Sequence, residues 1–401
     1  MNEKTLFQLA LGLVDSWYVR DTKFDTEAKR LDIFLDFKRG HAFPCPECGK
    51  SGKAHDTEEK SWRHLNFFQH EAYLHARVPR MRCPDHGVRL ANVPWGRKES
   101  GFTLLFEALV MMLAREMPIN AIAELLKVTD HRLWRVLKHY IVVDLEKMDL
   151  SELTSVGVDE TAARRGHNYV SLFVDMDKRK VVFVTEGKDA STIEAFAGHL
   201  TDRGGSPGAV TDVVCDMSPA FIAGVETHFP EAAITFDKFH VVKLLNAALD
   251  EVRREEQRTE IGLKSTRYLW LKNLRNLTNR QAATIHGLSR TKLKTARAYR
   301  MKLVFQEIYA LPKHLAEAAL EGWYQWGIRS RLQPIVEFAR MLRRHWDGIL
   351  RWFTSGLTNG LLENLNGLVQ AAKACARGYR SLENFKLIIY LVAGHLGLLP
   401  T

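Results

Sequence analysis

Residues 17–37 alternate apolar with charged positions, with Tyr18, Phe24, Leu31, Ile33 and Leu35 in the apolar set. A period of two predicts a β-hairpin. From Phe102 to Ile141 apolar residues recur at spacings of three and four, with breaks at Met117-Pro118 and Val128-Thr129-Asp130, which predicts two or three helices. After Ser151 the texture changes to short β-prone runs at 155–159, 169–175 and 181–185, the last two joined by the polar turn Asp177-Lys178. Ser191-Thr192-Ile193-Glu194 reads as a capping box opening a helix that stops before Gly204-Gly205-Ser206-Pro207-Gly208. A strand at 210–215, a helix, and a fifth strand at 232–236 follow, and the remainder is almost wholly helical. No internal repeat or low-complexity tract interrupts this order.

Length adds that 401 residues make roughly two to three domains. With 46% hydrophobic and 26% charged residues, a mostly disordered chain is excluded. Lys+Arg 57 against Asp+Glu 47 gives a net charge of +10 and favours polyanionic partners, nucleic acid first. The excess is local. Residues 250–350 hold 20 basic and 10 acidic residues, leaving equal numbers elsewhere. Within them, Ile261 to Gln306 carries Lys264, Arg267, Lys272, Arg275, Arg280, Arg290, Lys292, Lys294, Arg297, Arg300 and Lys302 with no acid. A solvated helix face usually mixes signs, so this one-sign stretch, interleaved with Tyr268, Trp270 and Tyr299, reads as a surface for phosphates. A merely soluble basic surface is the competing reading. Five cysteines are too few and odd in number for a disulfide framework, which points to a reducing compartment. No signal peptide is read at the N-terminus, and the longest apolar run, 387–399, is too short to span a membrane, so a cytoplasmic, nucleoid-associated protein is expected.

Cys45-Pro46-Glu47-Cys48-Gly49 and Cys83-Pro84-Asp85-His86-Gly87 are two knuckles 34 residues apart. Cys45, Cys48, Cys83 and His86 make a usual tetrahedral zinc set, and a glycine after each second ligand lets backbone amides face a thiolate. Reduced surface cysteines beside a chance histidine are the alternative. Cys215 and Cys375 are expected in the core. Ile119–Leu126, a turn at 127–130, and a helix from Asp130 to Ile141 have the spacing of a helix-turn-helix. His131, Arg132, Arg135 and Lys138 would face outward and read DNA, while Leu133, Val136, Leu137 and Tyr140 pack; an ordinary helical hairpin would look alike.

Asp159 and Asp216 each close an apolar run, and on adjacent parallel strands both carboxylates would emerge at the same end. Strand-terminal aspartates also serve as turn formers and caps. A third acid is Glu363, in Thr358-Asn359-Gly360-Leu361-Leu362-Glu363-Asn364-Leu365-Asn366, with Asn366 and Gln370 on its helix face. Three acids held together raise one another's pKa unless a divalent cation neutralises them. Two Mg²⁺ (or Mn²⁺) ions about 3.5–4 Å apart would also activate water or a 3′-hydroxyl and stabilise a departing oxygen.

The order of knuckles, helix-turn-helix, Gly157-Val158-Asp159-Glu160, Val214-Cys215-Asp216-Met217-Ser218-Pro219-Ala220-Phe221, Phe236-Asp237-Lys238-Phe239-His240, and finally Thr358-Asn359-Gly360 through Lys373 to Arg377-Gly378-Tyr379 resembles bacterial insertion-sequence transposases of the ISL-three group over nearly the whole chain. The resemblance implies a DDE recombinase whose α/β catalytic core is an RNase H-like mixed sheet with a helical insertion, preceded by a small zinc-binding β module and a helical helix-turn-helix domain. It maps the triad onto Asp159, Asp216 and Glu363. His86 departs from other branches, which carry cysteine there. The expected domains are a β-hairpin region 1–44, a zinc module 45–95, a helix-turn-helix domain 96–150 and a catalytic domain 151–401 with a basic insertion at about 245–350. The expected partners are double-stranded DNA, both terminal inverted repeats and target, and a second copy of the chain in a homodimer or higher oligomer. Competing readings are a zinc and helix-turn-helix regulator with a degenerate nuclease domain, against which the presence of all three acids argues, and a stand-alone nuclease.

Overall fold

The computed structural model describes residues 2–13, 16–164, 168–273, 276–356, 360–395 and 397. It divides into two units, Met1–Asp144 and Leu145–Leu396.

In the first unit α1 (Glu3–Ala10) precedes the hairpin β1 (Trp17–Asp25) and β2 (Arg30–Phe37), paired antiparallel as the alternation predicts. Then come β3 (Ala42–Pro44), β4 (Ser51–Phe67), β5 (His70–Cys83) and β6 (Gly87–Leu90). The sheet runs β1-β2-β5-β4-β3, with β6 paired to β5. Because β2 and β5 pair in parallel, the hairpin and the strands that carry the knuckles share one sheet. Its buried face gathers Trp17, Leu31, Ile33, Leu35, Trp62, Leu74, Val78 and Trp95. Three helices follow: α2 (Leu104–Glu116), α3 (Ile119–Leu126) and α4 (Asp130–Glu146). The fully buried Glu107 carboxylate ties α2 to α4 by accepting from Tyr140 Oη at 2.6 Å, and it also receives Arg97 and Ser100.

The second unit opens with β7 (Ser155–Arg164), β8 (Asn168–Asp175) and β9 (Lys180–Glu186), an antiparallel meander. Next come α5 (Ala190–Asp202), β10 (Asp212–Cys215), α6 (Pro219–His228) and β11 (Ala233–Phe236). The strand order is β11-β10-β7-β8-β9, with β10 parallel to both β7 and β11. This is an RNase H-like mixed sheet. Its central strands are buried on both faces, which is why β8 and β10 read as nearly unbroken apolar runs. The remaining helices are α7 (Lys238–Glu256), α8 (Arg267–Leu271), α9 (Asn279–Ser289), α10 (Lys294–Ile308), α11 (Lys313–Ile328), α12 (Gln333–Arg344), α13 (Trp346–Ser355), α14 (Gly360–Cys375) and α15 (Leu382–Ala393). The sheet edges are covered. Tyr390 of α15 accepts the Val184 N–H of β9 at 2.9 Å, and Gly348 of α13 lets that helix approach Phe236 of β11, where a Cβ would sit 2.5 Å from the ring. Among the described residues no helix is long and apolar enough to cross a membrane.

Four expectations are corrected. Asp189, not Ser191, caps α5, because its carboxylate accepts from the Ser191 N–H at 3.0 Å and so outcompetes the hydroxyl. Trp270 and Tyr299 are core residues rather than a surface for phosphates. Lys302 is also fully buried, and its ammonium donates to the carbonyls of Trp270 and Leu271 at 2.9 Å, ending α8. Burial pushes that ammonium down to about 8. Cys375 is exposed at the end of α14, whereas Cys215 is buried in β10 as expected.

Candidate functional site

The first knuckle lies between β3 and β4, and the second joins β5 to β6. Gly49 and Gly87 adopt φ of 75° and 69°, the left-handed turns that glycine permits. These turns bring Cys45, Cys48, Cys83 and His86 together, with all four ligating atoms within 4.8 Å of one another. Cys48 Sγ is 3.5 Å from Cys83 Sγ, and His86 Nδ1 is 3.6 Å from Cys83 Sγ and 3.9 Å from Cys45 Sγ. A tetrahedral shell with Zn–S about 2.3 Å and Zn–N about 2.0 Å has ligand–ligand edges of roughly 3.5–3.8 Å, so the donors fit zinc. Burial pushes the Cys83 thiol up, but the backbone N–H groups of His86 and Asp85 outweigh it and hold the thiol at about 6. Glu47 Oε2 lies 3.5 Å from His86 Nε2, an outer carboxylate that steadies the ring.

In the helical part of this unit, Lys127 takes φ 53° and turns α3 sharply into α4. Leu133, Val136, Leu137 and Tyr140 are buried, and His131, Arg135 and Lys138 are exposed on the opposite face of α4. Arg132 is half-buried: its guanidinium lies 4.1 Å from the centre of the Phe102 ring at the foot of α2 and donates to Gly101 O at 3.3 Å.

In the second unit β7 continues five residues past Asp159, so Asp159 lies within the strand rather than at its end. The neighbouring β10 stops at Cys215, and its parallel register, Val214 beside Gly157, carries Asp216 to the level of Asp159. Asp159 Oδ1 accepts from the Glu160 N–H at 2.8 Å, and Asp216 Oδ1 accepts from the Ser218 N–H at 3.0 Å. The second chain element at this place is α14. Gly157 permits its approach, since a Cβ there would lie 2.7 Å from Leu362 Cδ2. The polar face then runs along β7: Asn366 donates to Asp159 Oδ2, Gln370 to Thr161 Oγ1, and Lys373 to Ala162 O at 2.5 Å. Glu363 is exposed one turn before Asn366 and lines a cleft with Asp237, Lys238 and Phe239. Among the described residues, Cys45, Cys48, Cys83 and His86 are the set of three or more His, Cys, Asp or Glu side chains brought close enough to hold a metal, and Asp159, Asp216 and Glu363 do not form a second such set.

Burial pushes the Asp159 carboxyl up to about 6; the Glu160 amide and His240 oppose the rise, and Asp216 adds to it. Burial, Asp216 and Asp159 likewise raise Glu160. His240 Nδ1 donates to Asp237 Oδ2, 3.0 Å away, and that hydrogen bond holds its pKa above the usual value, helped by the charges of Asp216 and Asp159. Glu160, Asp237 and His240 are thus part of the acidic centre although sequence reasoning left them outside it. The signal was present in Asp237-x-x-His240, a spacing that puts both residues on one face where β11 enters α7.

Of the basic residues, Lys264, Lys292 and Lys294 are exposed. Arg267 pairs with the nearly buried Asp250 at 3.2 Å, Lys272 and Arg297 are half-buried, and Arg275 lies outside the described residues.

A tetrahedral cysteine–histidine set, a helix-turn-helix and an RNase H-like sheet with carboxylates on its central strands define a DDE-type DNA transposase. Residues 156–389 match a DDE transposase family, residues 91–141 the helix-turn-helix domain of transposase family ISL3, and residues 41–86 the zinc finger of transposases IS204/IS1001/IS1096/IS1165. The chain belongs to the ISL3 family of transposases. It is 28% identical over 440 residues to the transposase for insertion sequence element IS1557 of Mycobacterium tuberculosis, covering 100% of this chain and 98% of the relative. It is 28% identical over 358 residues to the transposase for IS1001 of Bordetella parapertussis, covering 86% and 87%.

Proposed function

We propose that this transposase binds the terminal inverted repeats of its own insertion sequence through residues 45–150, and that residues 151–401 cut the DNA and join its 3′ ends to a target. The observation that supports the reading is the stitching of α14 to β7, where Asn366, one turn after Glu363, donates to Asp159, together with the parallel register that brings Asp216 level with Asp159. The donors are all oxygen, and the unrelieved anionic charge at half-buried Asp159 favours a hard divalent cation, Mg²⁺ or Mn²⁺, held by Asp159, Asp216 and Glu363. When bound, such a metal supplies Lewis acidity at the scissile phosphate and lowers the pKa of the attacking oxygen. The chain's own residues orient the carboxylates: Glu160 N–H and Asn366 fix Asp159, and Ser218 N–H fixes Asp216. In cleavage a water oxygen bonds to phosphorus as the bond to the 3′-oxygen breaks, and the water's proton goes to that oxygen, leaving a 3′-hydroxyl; in joining, the oxygen of that hydroxyl bonds to a target phosphorus as the target's own phosphorus–3′-oxygen bond breaks, and its proton goes to the departing target 3′-oxygen. Exposed His131, Arg135 and Lys138 read the repeat, and Lys264, Lys292 and Lys294 contact phosphates. Two ends require two subunits, in a homodimer or higher oligomer in the cytoplasm, on the nucleoid.

The test is a native-gel and cleavage comparison on duplexes of the element's own ends. Asp216→Asn is expected to form the same protein–DNA complexes as wild type and to cut neither strand; loss of binding together with cutting would reassign Asp216 to the fold.

A further inference from the structure

Next to Glu363, a cleft of about 670 Å³ opens between α7, α8, α10 and the start of α14. This is the size of sites that take small organic ligands, roughly 300–1,000 Å³, and too small for a duplex. Its lining mixes an aromatic ring, amides and cations. Phe239 is 55% exposed in the first turn of α7, an uncommon place to leave a large ring in water. Asn246, two turns further along α7, has a buried Oδ1 with no hydrogen-bond partner among the described residues. Lys238 and Lys272 bring positive charge to the same lining.

We propose that this cleft takes one unpaired nucleotide of the DNA strand being processed, its base stacked on Phe239 and its Watson–Crick edge facing Asn246. The inference rests on the transposase reading, because that reading puts the scissile phosphate at Glu363 and hence the neighbouring nucleotide at the cleft mouth. Stacking on an aromatic face is tolerant of sequence and suits a nucleotide extruded from a duplex. Asn246 lines the same cleft, and its side-chain amide offers the base edge a polar partner. Lys238 and Lys272 match the phosphates flanking the extruded base.

The experiment uses full-length protein with zinc retained and element-end duplexes carrying a single unpaired 5-iodouracil at successive positions across the cleavage site. Irradiation is expected to give one dominant adduct, on Phe239, from one position. Phe239→Ala should lower that adduct at least tenfold and weaken binding of the unpaired-base duplex by roughly tenfold relative to fully paired DNA, and Phe239→Tyr should restore both. If wild-type protein cuts the ends normally but adducts are scattered, or are unchanged in Phe239→Ala, the inference fails alone. If wild-type protein cuts no end under any divalent metal, the transposase reading fails and takes the inference with it.

Discussion

Replacing Asp159 by asparagine should stabilise the metal-free catalytic unit while removing its activity. In the fold the Asp159 carboxyl titrates at about 6, against about 3.9 in an unfolded chain. Between these values the folded state holds the extra proton, so stability falls as pH rises through this window and stays reduced above it. Two pKa units correspond to about 3 kcal/mol, which partial exposure of the side chain reduces to about 2. The asparagine can keep the Glu160 N–H bond. The Asn366 amide can turn so that its Oδ1, buried without a partner, accepts from the new amide. By differential scanning calorimetry at pH 7.5, without divalent metal other than the bound zinc, Asp159→Asn should raise the melting temperature of the second unit by roughly 4–8 °C. At pH 4.5 the gain should shrink to about a third. Adding Mg²⁺ should stabilise wild type and not the variant, by about 2.7 kcal/mol at a hundredfold excess over Kd. A lower melting temperature at pH 7.5, or a gain that persists undiminished at pH 4.5, would refute the reasoning.

Removing zinc by chelation, or Cys45→Ser, should unfold the first unit and abolish end binding while leaving the calorimetric transition of the second unit in place. Lys292→Gln with Lys294→Gln should flatten the salt dependence of DNA binding by roughly 0.9 per lost contact for every sequence tested, whereas Lys302→Ala should leave that slope alone and destabilise the second unit by about 3 kcal/mol through a cavity and unsatisfied carbonyls. Arg135→Ala should change sequence preference in a binding selection by roughly 1–3 kcal/mol at one base pair; Arg132→Ala, with its guanidinium held over Phe102, should chiefly lower thermal stability.

The parts legible in the sequence are those where one physical signal acts alone. Alternation gave the β1–β2 hairpin, period-three-and-four spacing gave α3 and α4, and unbroken apolar runs marked the doubly buried strands of the catalytic sheet. The side on which Asn366 and Gln370 meet β7 was readable too, from helical spacing with Glu363. What escaped depended on partners distant in the chain. β4 is polar and mostly exposed over its first ten residues, so its strand character comes from pairing with β5 and leaves no periodic trace. Lys302 reads as surface charge until the carbonyls ending α8 are seen around it, and the contact of Arg132 with Phe102 leaves no periodic trace in the sequence. His240 joins the acidic centre only because β11 runs parallel to β10 and β10 to β7, and Glu160, on β7 itself, meets Asp216 through the same β10 register.

The central claim, that Asp159, Asp216 and Glu363 act as one metal-dependent centre, is tested most directly by strand transfer of the element's own pre-cut 3′ ends into plasmid DNA with and without Mg²⁺. Wild type and the control Glu383→Gln, altered at an exposed acid on α15 paired only with Lys386 among the described contacts, should join ends in Mg²⁺ and not without it. Glu363→Gln should bind the ends normally and join none. Near-normal joining by Glu363→Gln, or an equal loss in Glu383→Gln, would contradict the account.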